Sequence, residues 1–271
     1  MPAVDVGGAR LWYDEAGAGP AVLLLHGGLG DSGLWEPVVP FLAERFRTIR
    51  LDFRFYGRST GPAVPWSHSA DVVGALDALG LEQAALVGLS LGGQVAFDVA
   101  LARPERLWAV AGIAPALSGH GGSPYSAEQQ ARYDAARTEH DLETMMAVDF
   151  EVWAPLGADE RMVRLWHATP DANPLPAGLR PLPPPGGHAA GRLHELAVPT
   201  LVVTVAHDPS GRRAIGPLLA REAPEARHIE LDSDHYVTLR APEVVGRVLL
   251  DFLAGAAPHP TVGPEGHHSR G

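Results

Sequence analysis

The sequence predicts an α/β protein built on a mostly parallel, doubly wound sheet. Three observations predict this class: short apolar segments typical of buried strands, helical segments between them, and glycine-rich turns where strands end. Strands that alternate with helices of this size imply right-handed crossovers, which place helices on both faces of a sheet. A chain of 271 residues with 46% hydrophobic residues can bury a core of that kind.

The first part of the chain supplies six predicted strands. Gly7 and Gly8 separate two short extended stretches, the second over residues 9–15, which predicts an edge hairpin. Ala21–Leu25 is apolar throughout and ends before glycines, which is typical of a strand buried on both faces. The remaining predicted strands are Thr48 to Leu51, Ala84–Leu89 and 108–114, and the predicted helices between them are 34–46, 70–79 and Leu91–Ala102.

The same alternation resumes after a long insertion, which brings the predicted sheet to eight strands. The later strands are predicted at Thr200–Val205 and 227–231, and the later helices at 214–222 and 242–253. The core domain is therefore predicted in two parts, residues 1–116 and 193–255. The tail, residues 256–271, is rich in proline, glycine and histidine and is predicted to be disordered.

The insertion comprises residues 117–192. It holds three predicted helices, Ala127–Glu139, Leu142–Trp153 and 159–168, and then a proline-rich run over 170–187. Insertions this long inside a compact domain are usually functional, so we expect a helical cap over the site with a proline-stiffened return to the sheet. The alternative is an insertion that contributes stability and does not contact substrate.

Composition and charge exclude several function classes. The formal charge of −11 opposes binding to nucleic acid or to an anionic membrane, because both require a basic surface. The absence of cysteine excludes disulfides, cysteine-ligated zinc and a thiolate nucleophile. The first residues lack the basic and apolar regions of a secretory signal, and no apolar run approaches the length of a membrane span, so a cytoplasmic protein is expected.

The most specific motif is Gly88-Leu89-Ser90-Leu91-Gly92, where a predicted strand gives way to a predicted helix. A sharp strand-to-helix turn lifts the serine hydroxyl above the sheet, and glycines two residues to either side let neighbouring backbone pass. This context predicts a nucleophile. The alternatives are a plain glycine-rich helix start and a phosphate-binding loop, which is less favoured because no lysine follows the glycines.

A serine nucleophile needs a base and a group that orients the base. Asp208 follows the strand Thr200–Val205, and His235 follows the last predicted strand, so both are expected at the carboxyl edge of the sheet with Ser90. Rival candidates remain in the same loops. They are His207 for the functional residue of its loop, and Asp232 and Asp234 for the acid.

A third glycine-rich element, His26-Gly27-Gly28, follows the buried strand Ala21–Leu25. A tetrahedral intermediate needs two preorganised donors for its negative oxygen, and the backbone amides of Gly28 and Leu91 are the candidates. The alternative is a tight turn without a catalytic role. His26 is expected to brace this loop.

These motifs, in this order, resemble the α/β-hydrolases over nearly the full chain, and within them the esterase and enol-lactonase branch. The matching elements are the glycines after His26, the run LDFRFYGRS from Leu51 to Ser59, the Ser90 turn, Val198-Pro199-Thr200 leading to Asp208, and His235 before the last helix. The resemblance implies an α/β-hydrolase fold, a Ser90–Asp208–His235 triad, and Gly28 and Leu91 as oxyanion donors.

The sequence departs from the family pattern at several positions. Phe55 stands where members usually carry glycine, and Asp234 precedes His235 where glycine is commoner. Leu29 stands where the related proline iminopeptidases usually have proline, which disfavours aminopeptidase activity. A serine rather than an aspartate at position 90 disfavours dehalogenases and epoxide hydrolases.

The expected reaction is cleavage of a carboxylic ester or lactone of a small apolar molecule through an acyl-enzyme, without a metal or organic cofactor. The residues expected to line an apolar pocket are Trp35, Phe55, Tyr56, Trp153 and Trp166, with core packing as the alternative for each. The alternative function is non-hydrolytic work on the same fold, as a lyase, cyclase, perhydrolase or ligand-binding receptor.

Overall fold

One eight-stranded sheet forms the centre of the molecule. The computed structural model describes residues 2–173, 175–176 and 179–258. The strands are β1 (Ala3–Val6), β2 (Ala9–Ala16), β3 (Ala21–Leu25), β4 (Arg47–Leu51), β5 (Ala84–Leu89), β6 (Leu107–Ile113), β7 (Thr200–Val205) and β8 (Ala226–Leu231). They lie in the order β1-β2-β4-β3-β5-β6-β7-β8, with β1, β2 and β4 paired antiparallel and every other neighbouring pair parallel. The predicted mostly parallel eight-stranded sheet is confirmed.

Helices cover both faces of this sheet. They are α1 (Val39–Ala43), α2 (His68–Ala78), α3 (Leu91–Ala102), α4 (Ala127–Glu139), α5 (Leu142–Trp153), α6 (Glu160–Trp166), α7 (Ser210–Arg213), α8 (Ile215–Glu222), α9 (Val237–Arg240) and α10 (Pro242–Ala256). Side chains of β3 alternate between two cores: Leu23 packs with residues of α2, α3 and α8, and Leu24 packs with residues of α1 and α10. The sheet is therefore doubly wound.

The helix predicted over 34–46 is broken. A 3₁₀ turn covers Ser32–Trp35, and α1 begins only at Val39. Pro37 and Pro40 explain the break, since a proline has no amide hydrogen and cannot donate the backbone hydrogen bond that a continuous helix needs.

The three predicted helices of the insertion are present as α4, α5 and α6. Ser126, Asp141 and Asp159 cap their amino-terminal ends by accepting hydrogen bonds from backbone amides of the first turns. α4, α5 and α6 contribute to a small core that includes Tyr133 and Trp166. The division of the chain into a core domain and a cap stays a prediction.

The carboxyl-terminal helix is longer than predicted. α10 continues to Ala256, three residues beyond the predicted end, and so includes the first residue of the predicted tail. The rest of that prediction falls mainly on residues 259–271, which lie outside the described residues. Among the helices the structure describes, none has both the length and the apolar character needed to cross a membrane.

Candidate active site

Ser90 occupies the sharp turn between β5 and α3. Its backbone has φ 53° and ψ −113°, a conformation that L residues rarely adopt. The neighbouring glycines leave no room for a side chain: a Cβ on Gly88 would lie 2.1 Å from the Gly92 backbone, and one on Gly92 would lie 2.2 Å from the Leu25 carbonyl oxygen. The turn therefore depends on both glycines, as the motif predicts.

Asp208 and His235 meet at the carboxyl edge of the sheet. The Nδ1 atom of His235 lies 2.9 Å and 3.0 Å from the two carboxylate oxygens of Asp208, and both side chains are buried. Because a carboxylate only accepts hydrogen bonds, this contact places the proton on Nδ1 and leaves Nε2 as an acceptor. Ser90 follows β5 at the same edge.

The rival acids are engaged elsewhere. Asp232 is exposed and contacts His207, with 2.9 Å between the carboxylate oxygen and Nε2. Asp234 is fully buried and accepts hydrogen bonds from Arg240 Nε at 2.6 Å and from the Leu156 amide at 3.3 Å. Asp234 thus ties the His235 loop to the end of α5, and of the three carboxylates it is Asp208 that contacts His235.

The loop after β3 passes directly beside Ser90. A Cβ on Gly27 would lie 3.3 Å from the Cβ of Ser90. Within the described residues, neither the Gly28 amide nor the Leu91 amide donates a hydrogen bond to another backbone group. Both candidate oxyanion donors are therefore available to a ligand.

His26 braces this loop, as expected. Its Nδ1 lies 2.8 Å from the Gly27 carbonyl oxygen, and its Nε2 accepts a hydrogen bond from the Phe53 amide at 2.9 Å. Burial lowers the pKa of His26, opposed by the negative charge of Asp52. A neutral ring fits both hydrogen bonds.

The five aromatic residues expected in the pocket divide into two groups. Trp153 packs against His235 with 4.4 Å between ring centroids and the rings tilted by 45°. Tyr56 packs against His26 with 5.0 Å between centroids. Phe55 packs on Trp66 with its backbone at φ 70°, a conformation that favours glycine.

For the other two aromatic residues the structure shows core packing instead of a pocket wall. Trp35 is fully buried, and its Nε1 donates to the Leu25 carbonyl oxygen at 3.0 Å. Trp166 is also fully buried, and its Nε1 donates to Asp149 at 2.6 Å. Each indole satisfies its polar N–H inside a core, as a buried tryptophan usually does.

A cavity of about 390 Å³ adjoins Leu91. Its walls come from the first turns of α3, from the start of α2, and from residues 181–184 of the proline-rich run. More of its lining surface is apolar than polar, and the polar side chains that contribute are His68, Gln94, Asp98, Ser118, His120 and Arg212.

Sequence reasoning missed this lining, although a local signal existed for two of its members. Gln94 lies four residues after Ser90, and Arg212 lies four residues after Asp208. Each lies in the first turn of the helix that follows its triad candidate, so both positions can be found from the motifs already identified.

The model of the alpha/beta hydrolase fold family matches residues 20–242. The chain belongs to this family. It is 30% identical over 264 residues to 2-hydroxy-6-oxo-6-phenylhexa-2,4-dienoate hydrolase of Burkholderia cepacia, with 90% of this chain and 91% of that protein covered. It is 27% identical over 270 residues to 2-(acetamidomethylene)succinate hydrolase of Mesorhizobium japonicum, with 92% and 94% covered.

Among solved structures, the enol-lactonase from Burkholderia xenovorans LB400 superposes with a TM-score of 0.75 at 26% identity, covering 93% of this chain and all of that one. Other relatives match over a shorter part: the chain spans 35% of the length of an epoxide hydrolase of Caballeronia sordidicola, with 40% identity over 116 residues. The predicted α/β-hydrolase fold is confirmed, and hydrolase activity is the function class that the family supports.

Proposed function

We propose that this chain is a serine hydrolase that cleaves a carboxylic ester or lactone of a small molecule through an acyl-enzyme. Ser90 is the nucleophile, His235 the general base and Asp208 the group that orients the base. The observation that carries the proposal is the strained Ser90 turn at the same sheet edge as the buried His235–Asp208 pair. The hydrolase relatives that align over most of the chain support it.

The chemistry follows from the geometry. Ser90 Oγ attacks the substrate carbonyl while His235 Nε2 takes the hydroxyl proton, and ionised Asp208 stabilises the imidazolium that forms. The amides of Gly28 and Leu91 stabilise the oxyanion. His235 then gives its proton to the leaving alcohol, and a water activated by the same nitrogen releases the acid.

The Ser90–His235 contact is part of this proposal. In structures without substrate, catalytic hydrogen bonds are often long and tighten only in the reacting complex. Trp153 packs against the imidazole and Asp208 fixes its rotation, so Ser90 Oγ is the group that moves to close the contact.

The test compares wild type with Ser90→Ala on a panel of p-nitrophenyl esters and lactones. Ser90→Ala should fold and lose turnover by a factor of about 10³ or more. The matched control is Ser126→Ala, which removes an exposed serine at the start of α4 and should retain turnover.

A fluorophosphonate probe gives a second readout. Mass spectrometry should find its adduct on the peptide that contains Ser90 in wild type and not in Ser90→Ala. Turnover retained by Ser90→Ala would sink the assignment. A labelled Ser90 without turnover of any ester or lactone would favour non-hydrolytic chemistry on the same triad.

A further inference from the structure

Arg212 places a guanidinium beside the candidate active site. It lies in α7, one helical turn after Asp208. Its guanidinium carbon is 5.5 Å from the ring centroid of Trp153, and the same ring packs against His235 with 4.4 Å between centroids. Arg212 and the proposed general base therefore lie near the same indole.

This guanidinium lacks a protein anion. Across residues 2–173, 175–176 and 179–258, the Arg212 guanidinium donates no hydrogen bond, and no carboxylate oxygen lies within 4.0 Å of it. The adjacent Arg213 instead pairs with Glu230 at 3.6 Å, and Arg240 pairs with Asp234 at 2.6 Å. A half-buried cation without a partner is unfavourable, so its surroundings suit an anion supplied by a ligand.

The pKa of Arg212 is consistent with this environment. Burial lowers the pKa of Arg212, whereas electrostatic interactions with Asp208 and Tyr125 raise it. Asp208 hydrogen-bonds to His235 and forms no ion pair with Arg212, so its charge acts on the guanidinium only from a distance. A ligand anion in contact with Arg212 would stabilise the charged form of the guanidinium.

Arg212 and the residue that carries the proposed oxyanion donor line one cavity. Leu91, Gln94 and Arg212 all contribute to its lining, and its volume is about 390 Å³. A small molecule with its carbonyl at the Leu91 amide can therefore reach Arg212 with another group in the same cavity.

The other titratable groups of the cavity do not replace Arg212 as an anion-binding group. Burial lowers the pKa of His68 to about 3, so its ring is neutral near pH 7. Asp98 is committed to Ser118, whose hydroxyl donates to it at 2.6 Å, and burial raises its pKa to about 6. His120 and His188 complete the titratable lining.

We propose that Arg212 determines substrate specificity by binding a free carboxylate, so that the preferred esters or lactones are those that carry one. This inference rests on the proposed function and narrows its substrate class. The planar guanidinium can pair with both oxygens of a carboxylate, which fixes orientation as well as charge.

The experiment uses three small esters that differ in the carboxylate. Methyl valerate is neutral, monomethyl glutarate replaces its terminal methyl group with a carboxylate on the acyl side, and 2-butyryloxyacetate carries the carboxylate on the alcohol side. The quantity measured by pH-stat is the ratio of kcat/KM for each anionic ester to that for methyl valerate. The proteins are wild type, Arg212→Gln, Arg212→Lys and the control Arg213→Gln.

Wild type should prefer one anionic ester, and Arg212→Gln should lower that preference by about 10- to 100-fold, as expected for losing a hydrogen-bonded charge pair. Arg212→Lys should retain part of the preference, because it keeps the charge and loses the planar fork. Arg213→Gln should keep the wild-type ratio. Which anionic ester is preferred identifies the side of the substrate that Arg212 contacts.

Two results would overturn the inference while leaving the proposed function intact: no preference for either anionic ester in wild type, or an equal loss for neutral and anionic esters in Arg212→Gln. The second would make Arg212 a support for Asp208 and His235. If the protein turns over none of these esters, a binding measurement still tests the inference separately from the proposed function. Calorimetry with monomethyl glutarate and with 2-butyryloxyacetate on Ser90→Ala should show binding of at least one that the added Arg212→Gln change removes, and no binding of either to Ser90→Ala would overturn the inference.

Discussion

The sheet edge and the insertion hold their candidate site residues by different means. At the sheet edge the backbone fixes Ser90, because Gly88 and Gly92 pack against other backbone with no space for a Cβ. In the insertion, side-chain hydrogen bonds fix Trp153: its Nε1 donates to the Tyr125 hydroxyl at 3.3 Å, and that hydroxyl donates to Asp149.

This difference determines how each region responds to change. Backbone packed against backbone cannot relax around a new atom, so damage there should be large. A side-chain network can lose one hydrogen bond and persist, and it responds to protonation. Burial raises the pKa of Asp149 to about 6, opposed by hydrogen bonds from Tyr125 and Trp166. We therefore expect the insertion to tolerate substitutions better than the sheet edge and to respond more to pH.

Gly92→Ala should have the largest effect on folding. The added Cβ would lie 2.2 Å from the Leu25 carbonyl oxygen, and neither backbone segment can move away easily. We expect the free energy of unfolding to fall by more than about 3 kcal/mol, at or beyond the upper end of overpacking costs. Urea unfolding followed by circular dichroism measures this.

Gly255→Ala is the matched control for Gly92→Ala. Gly255 also lies in a helix, α10, but a Cβ there would have no other atom within 4 Å. Alanine should be neutral or stabilise by up to about 1 kcal/mol, because it favours helix. If the two variants unfolded at the same urea concentration, the view that packed backbone determines the Ser90 turn would be wrong.

Asp98→Asn tests a buried carboxylate on the sheet side, for comparison with Asp149. Burial raises the pKa of Asp98 to about 6, opposed by the Ser118 hydrogen bond and by His188 and Arg192. Because the folded-state pKa lies above the unfolded one, the favourable contribution is complete below about pH 4 and is lost as the pH rises through about 6.

Asparagine can still accept the Ser118 hydrogen bond but does not ionise. Asp98→Asn should therefore match wild type in stability near pH 4 and exceed it by about 2 kcal/mol at pH 7. Urea unfolding of both proteins at several pH values measures the difference. A difference that does not vary with pH would show that Asp98 ionises in the folded protein as readily as in the unfolded chain.

Tyr125→Phe should have a smaller effect on stability and a clear effect on turnover. It removes the hydroxyl that links Trp153 to Asp149, leaving the Trp153 N–H without its acceptor. The expected loss is about 1 kcal/mol or somewhat more. Turnover of esters should fall several-fold, since the indole that stacks on His235 loses its anchor.

Tyr133→Phe is the control for Tyr125→Phe, because Tyr133 belongs to the same small core and does not contact Trp153 through a hydrogen bond within the described residues. Its turnover should stay close to wild type. Equal turnover in Tyr125→Phe and wild type would mean that the hydrogen bonds of the insertion do not position Trp153.

The contrast between the two regions also explains what the sequence could predict. The sheet follows from short-range patterns: β3 is apolar at every position because it is buried on both faces. The Ser90 turn also follows from a short-range pattern, since the two glycines and the serine lie within five consecutive residues. Asp208 and His235 follow because each comes directly after a strand of the same parallel sheet.

The cavity lining was beyond this reasoning because it is assembled from distant segments. Leu91 and residues 181–184 of the proline-rich run line the same cavity although they are far apart in the chain. No periodic pattern in the sequence predicts where the proline-rich run packs. The aromatic predictions failed for Trp35 and Trp166 for a related reason. Size and hydrophobicity suit a tryptophan to a pocket or a core equally, and the tertiary packing around each indole decides which.

Ser90→Gly should have the smallest effect, and it isolates the strain at the turn. The Ser90 backbone, at φ 53° and ψ −113°, is unfavourable for any residue with a Cβ. Ser90→Ala keeps the Cβ and the strain, whereas Ser90→Gly removes both. Such strain costs about 1 to 3 kcal/mol, and the flexibility of glycine in the unfolded chain offsets about 0.5 to 1 kcal/mol of the gain.

We therefore expect Ser90→Gly to be more stable than Ser90→Ala by about 1 kcal/mol, measured by urea unfolding of the two inactive proteins side by side. Equal stability would mean that the surrounding turn accommodates a Cβ without strain. Higher stability in Ser90→Gly than in Ser90→Ala would show that residue 90 is held in an unfavourable backbone conformation. The backbone packed around Gly88 and Gly92 would then be what imposes that conformation.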